Sequence, residues 1–136
     1  MNEVLLDTHV FVWYVNGNEI NRRTQKIIDS AIQAGCIYLA DISLWEISML
    51  VLKQRIILAM PCMEWINRGI EQLRLQILPI TPNIAVESCN LPGNFHGDPA
   101  DRLIVATARA HGMVLATRDS TILEFGKTKV LSVVKA

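Results

Sequence analysis

Five acidic residues stand where the sequence pattern predicts that a strand ends or a helix begins. Asp7 follows the first apolar run, Glu46 lies in a predicted helix, Asp98 and Asp101 open another helix, and Asp119 follows the fourth strand. Carboxylate oxygens without a histidine or cysteine cluster favour hard cations such as Mg²⁺ or Mn²⁺. Such an ion activates water and stabilises charge on a phosphate. If these acids converge, they indicate phosphoryl chemistry.

Helical spacing predicts that two of the acids point inward. Asp101 shares a stripe with Ile104 and Val105, and Glu46 shares one with Met49. A carboxylate on an apolar stripe is costly without a partner. Like charges about 4 Å apart repel by roughly 4 kcal/mol at an effective dielectric near 20. No comparable lysine or arginine cluster lies nearby in the sequence, so a divalent cation is the expected partner.

Each acid also has an ordinary structural explanation, because aspartate caps helices well. Ser43-Leu44-Trp45-Glu46 fits a capping box, and Asp98-Pro99-Ala100-Asp101 fits a helix start. We therefore expect Asp98 to have a structural or supporting role, while Asp101 points into the site.

Short apolar runs alternate with helical patterns along the chain. This alternation predicts an α/β fold with a mostly parallel sheet, whose ligands bind at the carboxyl ends of the strands. The predicted strands cover 3–6, 37–40, 76–80, 113–117 and 130–134. The predicted helices cover 8–15, 20–35, 43–55, 62–73, 82–90, a segment from Pro99, and one or two turns over 119–125. The segment 90–99, which leads into the helix from Pro99, is rich in helix breakers and is predicted to be a functional loop.

Composition limits the class of protein. The chain has 136 residues, 51% of them hydrophobic, which predicts one domain over residues 1–136 with a packed core. Lysine plus arginine and aspartate plus glutamate each total 13, so any contact with a nucleic acid must be local. No apolar run predicts a signal peptide or a membrane span, and three unpaired cysteines suit a reducing compartment. We expect a cytoplasmic protein.

Four motifs together resemble the PIN-domain nucleases, in both order and spacing. They are Leu5-Leu6-Asp7-Thr8-His9, Ser43-Leu44-Trp45-Glu46-Ile47, the segment from Asp98 to Ala108, and Thr117-Arg118-Asp119. Within that group the chain resembles the VapC-type toxins of bacterial toxin–antitoxin pairs over nearly its whole length. The resemblance implies a PIN-like three-layer fold, with a central sheet of four or five strands flanked by helices.

The resemblance also implies a site and an activity. Asp7, Glu46, Asp101 and Asp119 would be the catalytic, metal-binding acids, and Thr117 a supporting hydroxyl. The activity would be Mg²⁺-dependent endoribonucleolytic cleavage that leaves a 5′ phosphate, with Mn²⁺ as a plausible substitute and transfer RNA as a possible substrate. Asp41 departs from the small or hydroxyl residue usual there, which leaves open whether Asp41 and Asp98 join the metal pocket.

The resemblance further implies partners. These are a second copy of the chain in a homodimer and a small VapB-like antitoxin whose tail would lie across the active site. The apolar helices at 42–55 and 62–73 are candidate docking surfaces.

Arg102 and Arg118 lie near the predicted site and could contact RNA phosphates, although single arginines are more often solvated or ion-paired. His9 and His96 flank the acids and are expected to be structural.

Three other functions compete with the nuclease hypothesis. A phospho-receiver domain has a similar size and fold, but it would need adjacent acids after the first strand, a phosphoacceptor aspartate and a late lysine. A phosphotransferase with Asp7 as nucleophile would need a second aspartate where His9 stands. A PIN fold that only binds RNA or a partner is the third possibility, and the presence of all four acids favours catalysis.

Overall fold

Five parallel strands form one sheet in the order β3-β2-β1-β4-β5. The computed structural model describes residues 3–93 and 95–136. The strands are β1 (Val4–Leu6), β2 (Ile37–Ala40), β3 (Gln76–Leu78), β4 (Val114–Thr117) and β5 (Ser132–Lys135). The predicted α/β class with a central sheet of four or five strands is confirmed, and within the described residues every strand pairing is parallel.

Seven helices connect and flank the strands in the described part of the chain. They are α1 (Thr8–Val15), α2 (Arg22–Ala34), α3 (Asp41–Leu52), α4 (Cys62–Leu73), α5 (Pro82–Ser88), α6 (Pro99–His111) and α7 (Ser120–Gly126). One buried cluster joins residues of α1 to α4, and a second joins residues of α5 to α7. The sheet therefore lies between two helical layers.

The central strand β1 contributes to both layers because its side chains alternate. Val4 and Leu6 belong to the first cluster and Leu5 to the second, and all three are fully buried. Strands that are buried on both faces are continuously apolar, which explains why residues 4–6 are all apolar. The hydrogen-bond ladder between β1 and β4 continues one residue beyond β1, because the backbone N–H of Asp7 donates to the carbonyl of Ala116 at 2.9 Å. This bond fixes the carboxyl end of β1 beside that of β4.

Four predicted strands have different bounds in the structure, and the first and the fourth each begin one residue later than predicted. The third ends at Leu78, because Pro79 has no N–H to continue the ladder. The fifth covers Ser132–Lys135, and the buried Leu131 before it packs into the core without belonging to the strand. The prediction of one domain over residues 1–136 stays a prediction, and Asn94 in the predicted loop lies outside the described residues. Within the described ranges, no helix has the length and apolar character needed to cross a membrane.

Candidate active site

Asp7 lies at the junction between the central strand and α1. Its side chain caps the helix by accepting from the backbone N–H of Thr8 at 2.8 Å. The other carboxyl oxygen accepts from the hydroxyl of Thr117 at 2.7 Å. Burial raises the pKa of Asp7, and these two hydrogen bonds oppose that rise because they favour the ionised form. Asp7 is therefore a buried carboxylate in a fixed orientation.

Thr117 connects the ends of two neighbouring strands. Its hydroxyl, fully buried at the end of β4, donates to Asp7 and accepts from the backbone N–H of Asp119 at 3.0 Å. The Asp119 side chain accepts from the N–H of Ile122 at 3.0 Å and so caps α7. One hydroxyl thus sets the position of Asp7 relative to the segment that carries Asp119.

Glu46 is linked to the same strand end through α1. The hydroxyl of Thr8 lies within hydrogen-bond distance of Glu46 Oε1, at 2.5 Å, and of Ser43 Oγ, at 2.9 Å. Thr8 and Ser43 are fully buried, and Glu46 is half-buried. Burial raises the pKa of Glu46, the Thr8 hydrogen bond lowers it, and the charge of Asp7 raises it again. The predicted inward direction of Glu46 agrees with this contact.

Asp98 and Asp101 come from the first turn of α6. Asp98 caps the helix, and its carboxylate accepts from the backbone N–H of Asp101 at 2.8 Å. Carboxylate oxygens of Glu46, Asp98 and Asp101 all lie within 4.8 Å of one another. Asp98 therefore combines the predicted capping role with a position among the inward-pointing acids.

The charges of five acids act on one another at this edge of the sheet. Burial, the largest cause, and the charges of Asp98, Asp7, Asp119 and Glu46 together raise the pKa of Asp101 to about 7. The acids come from four separate segments of the chain, yet each is close enough to act on Asp101. Their convergence leaves unbalanced negative charge in a half-buried site.

The donor set fits a hard divalent cation. Within residues 3–93 and 95–136, the side-chain ion pairs involve Glu64, Glu87 and Glu124, and none involves an acid of the site. Oxygen donors without cysteine are the ligands that Mg²⁺ and Mn²⁺ prefer. Glu46, Asp98 and Asp101 have oxygens close enough to share one ion.

The two arginines predicted to contact phosphate are already engaged with the backbone. Arg102 donates to the carbonyls of Phe95 at 2.8 Å and Ser88 at 3.3 Å. Arg118 donates to the carbonyls of Ala136 at 3.0 Å and Glu19 at 3.2 Å, and its guanidinium lies 4.0 Å from the centre of the Trp13 ring. Phosphate contact by either residue stays a prediction.

Asp41 makes a contact of its own, at the start of α3. Its Oδ2 accepts from the backbone N–H of Ile80 at 3.0 Å, which ties α3 to the chain after β3. Its charge is not among those that raise the pKa of Asp101. This placement favours a structural role for Asp41.

Sequence reasoning gave Thr8 no role in the site, and it gave Ser43 and His9 only structural roles. Thr8 and Ser43 form the buried hydroxyl pair beneath Glu46. The predicted capping box at Ser43 is wrong, because α3 begins at Asp41 and its N-cap, Ala40, makes no side-chain hydrogen bond. His9 is exposed, and its charge lowers the pKa of both Asp7 and Glu46. Its position directly after Asp7-Thr8 was the available signal for this effect.

A parallel sheet in this order, with acids collected at the carboxyl ends of its strands, is the arrangement of a PIN domain. A family profile for the PIN domain matches residues 4–128. The chain belongs to the PIN-domain family.

Within that family the similarity is to VapC proteins. The chain is 40% identical over 119 residues to Ribonuclease VapC22 of Mycobacterium tuberculosis, and the match covers 88% of each chain. Among solved structures, it is similar to FitAcB from Neisseria gonorrhoeae, with 26% identity, a TM-score of 0.64 and coverage of 96% of this chain and 95% of that one. The fold also matches VapBC2 from Rickettsia felis, crystallised with a promoter DNA fragment, with a TM-score of 0.68, 18% identity and 97% coverage of both chains. The predicted membership in the VapC-type PIN proteins is confirmed.

Proposed function

We propose that this protein is a divalent-metal-dependent endoribonuclease of the VapC type. The observation that carries the proposal is the convergence of carboxylates from four separate segments on one edge of the sheet, with none of them in an ion pair within the described residues. The 40% identity to a protein named as a ribonuclease supports RNA as the substrate.

Asp7, Glu46, Asp101 and Asp119 are the proposed metal-binding and catalytic acids, and Mg²⁺ is the proposed ion, with Mn²⁺ as a substitute. A bound ion would supply an activated water and stabilise negative charge on the phosphate during in-line displacement. Asp98 joins the set because its carboxylate lies within 4.8 Å of those of Glu46 and Asp101.

The remaining polar residues hold the acids in place. Thr117 orients Asp7 and the start of the Asp119 segment, and Thr8 orients Glu46. Fixed side chains reduce the reorganisation needed when metal and substrate bind. This chemistry would leave a 5′ phosphate on the RNA fragment downstream of the cut.

A VapB-like antitoxin and a second copy of the chain are the proposed protein partners. Four large apolar side chains on or between α3 and α4 are exposed: Trp45, Leu52, Ile57 and Met63. Contiguous exposed apolar patches mark interaction surfaces. We propose that these side chains contribute to antitoxin docking on α3 and α4, the two predicted docking helices.

The test compares brief expression of the wild type with Asp7→Asn and maps new 5′-phosphate ends in cellular RNA. Glu71→Gln is the matched control, because it makes the same change from acid to amide at an exposed position of α4. We expect specific new ends with the wild type and the control, and none with Asp7→Asn, although circular dichroism should show all three folded.

Purified protein provides the metal test. EDTA should abolish cleavage, and added Mg²⁺ or Mn²⁺ should restore it. Cleavage that persists in EDTA or in folded Asp7→Asn contradicts the proposal. Stable phosphorylation by a small phosphodonor would indicate a receiver, and a folded, metal-binding protein without cleavage would indicate a PIN module that only binds.

A further inference from the structure

A cavity of about 710 Å³ lies between the loop that precedes α6 and the helix α7. Its inner wall contains Phe95 and Phe125, which are buried and meet edge to face with ring centres 5.0 Å apart, together with Val130. Its rim carries the exposed side chains of Thr121, Glu124 and other polar residues. The cavity thus combines an aromatic wall with a rim of hydrogen-bonding groups.

The two chain segments that line this cavity also carry acids of the site. Asp119 is followed by Ser120 and Thr121 of the rim, and Asp98 follows Phe95 by three residues. Gly97 lies between the aromatic wall and the acids, where there is no room for a side chain. A Cβ at Gly97 would lie 2.3 Å from Cε2 of Phe95 and 2.9 Å from Cβ of Asp101. The cavity is therefore an immediate neighbour of the proposed catalytic centre.

We propose that this cavity binds one nucleobase of the RNA, belonging to the nucleotide next to the cleaved phosphate. The inference rests on the proposed nuclease function, because the phosphate itself would be held at the acids. Aromatic side chains beside a backbone site are a common means of binding unpaired bases. The volume lies within the range usual for small-molecule sites, about 300–1,000 Å³.

The chemistry of the cavity favours a base over the other parts of a nucleotide. A phosphate would meet the Glu124 carboxylate on the rim and the acids beyond it, whereas a base is uncharged. The exposed hydroxyl and carboxylate groups of the rim can hydrogen-bond the edge of a base held against the aromatic wall. Glu124 is 74% exposed and its surface pair with Lys127 is weak, so its oxygens remain available to a ligand.

The first test is a nuclear magnetic resonance titration with each of the four nucleoside 5′-monophosphates in the presence of Mg²⁺. These probes carry the 5′ phosphate of the proposed product and offer no bond to cleave. We expect backbone amide signals of Thr121, Glu124 and Thr128 to shift, more for one base than for the others. Inorganic phosphate should leave them in place. Identical shifts with inorganic phosphate would overturn the proposal.

The second test narrows the mouth of the cavity. The double variant Thr121→Leu with Thr128→Leu adds apolar bulk at two rim positions without adding an aromatic ring. Exclusion of the base from the cavity should weaken nucleotide binding by at least about tenfold. The control pair, Ala110→Leu with His111→Leu, places the same apolar side chains at exposed positions at the end of α6 and should bind as the wild type does.

The outcomes separate this inference from the proposed function. Nuclease function fails if wild-type protein with Mg²⁺ cleaves no RNA. The base site fails if the rim variant binds nucleotides and cleaves RNA with wild-type affinity and KM. If the rim variant changes only the oligomeric state in sedimentation, the cavity is an interface between copies of the chain, and the base site is likewise refuted.

Discussion

Replacing Asp101 with asparagine should make the metal-free protein more stable at alkaline pH. The pKa of Asp101 is raised from 3.8 to about 7, by burial first and by the four neighbouring acids second. The folded protein therefore binds this proton more tightly than the unfolded chain does. The free energy of unfolding falls as pH rises between these two values, and the whole loss is present above pH 7. An amide at this position does not ionise and avoids the loss.

The pKa difference sets the size of the effect. At 1.36 kcal/mol per pKa unit, the rise from 3.8 to about 7 corresponds to roughly 4 kcal/mol as an upper bound. Asp101 is only half-buried, so solvent screening reduces this to about 1–2 kcal/mol at pH 8. For a chain of this length, that difference raises Tm by roughly 3–8 °C. The gain should shrink as pH falls below 7 and approach zero below about pH 3, where the carboxyl is protonated in both states.

The assay is thermal unfolding of the wild type and Asp101→Asn in EDTA and in excess Mn²⁺, at pH 8 and pH 5. In EDTA at pH 8 the variant should unfold at the higher temperature. In Mn²⁺ at 100 times its Kd, the wild type should gain about 2.7 kcal/mol, and the variant much less, because it lacks one charged ligand. The same ion should therefore reverse the order of stability.

Glu71→Gln is the control, because Glu71 is exposed on α4. It should leave the Tm in EDTA and the response to Mn²⁺ close to those of the wild type. The reasoning is refuted if Asp101→Asn is no more stable than the wild type in EDTA at pH 8. It is equally refuted if Mn²⁺ stabilises the variant and the wild type to the same degree.

Two further substitutions test how the acids are held. Thr8→Val removes the buried hydroxyl that contacts Glu46, which should cost about 1–3 kcal/mol of stability and weaken Mn²⁺ binding, and Thr8→Ser should restore Mn²⁺ affinity in calorimetric titration. Equal Mn²⁺ affinity of the valine and serine variants would contradict this role. Gly97→Ala should lower kcat for RNA cleavage at least about tenfold, because the added Cβ overlaps the buried Phe95 ring and presses on Asp101. Unchanged kcat in a folded Gly97→Ala protein would show that this packing does not set the position of Asp101.

Much of the fold follows from local pattern. The helix predicted over residues 8–15 occurs as Thr8–Val15, because a strand end, a capping aspartate and the Asn16-Gly17 stop all agree. The edges of the sheet were harder to predict. Apolar character reports burial, not strand pairing, and the buried Leu131 belongs to the core without belonging to β5.

Four acids of the site were predictable because each stands at a strand end or at a helix start, and Glu46, in the second turn of α3, was predictable from its place on an apolar stripe. The distances between these acids could not be predicted, because they depend on contacts between distant parts of the chain. The Thr8–Glu46 contact spans 38 residues and the Thr117–Asp7 contact spans 110. The contacts of the arginines also depend on distant parts of the chain. A sequence shows that Arg118 is charged, and only the fold shows that its guanidinium donates to the carbonyls of Ala136 and Glu19.

The bond between Thr117 and Asp7 has a consequence for how a cell makes this protein. Asp7 at the end of the central strand is translated 110 residues before Thr117 at the end of its partner β4. A growing chain therefore has an incomplete acidic centre until this later segment has left the ribosome and folded beside β1. If the proposed RNA cleavage needs the complete set of acids, it can begin only after that step.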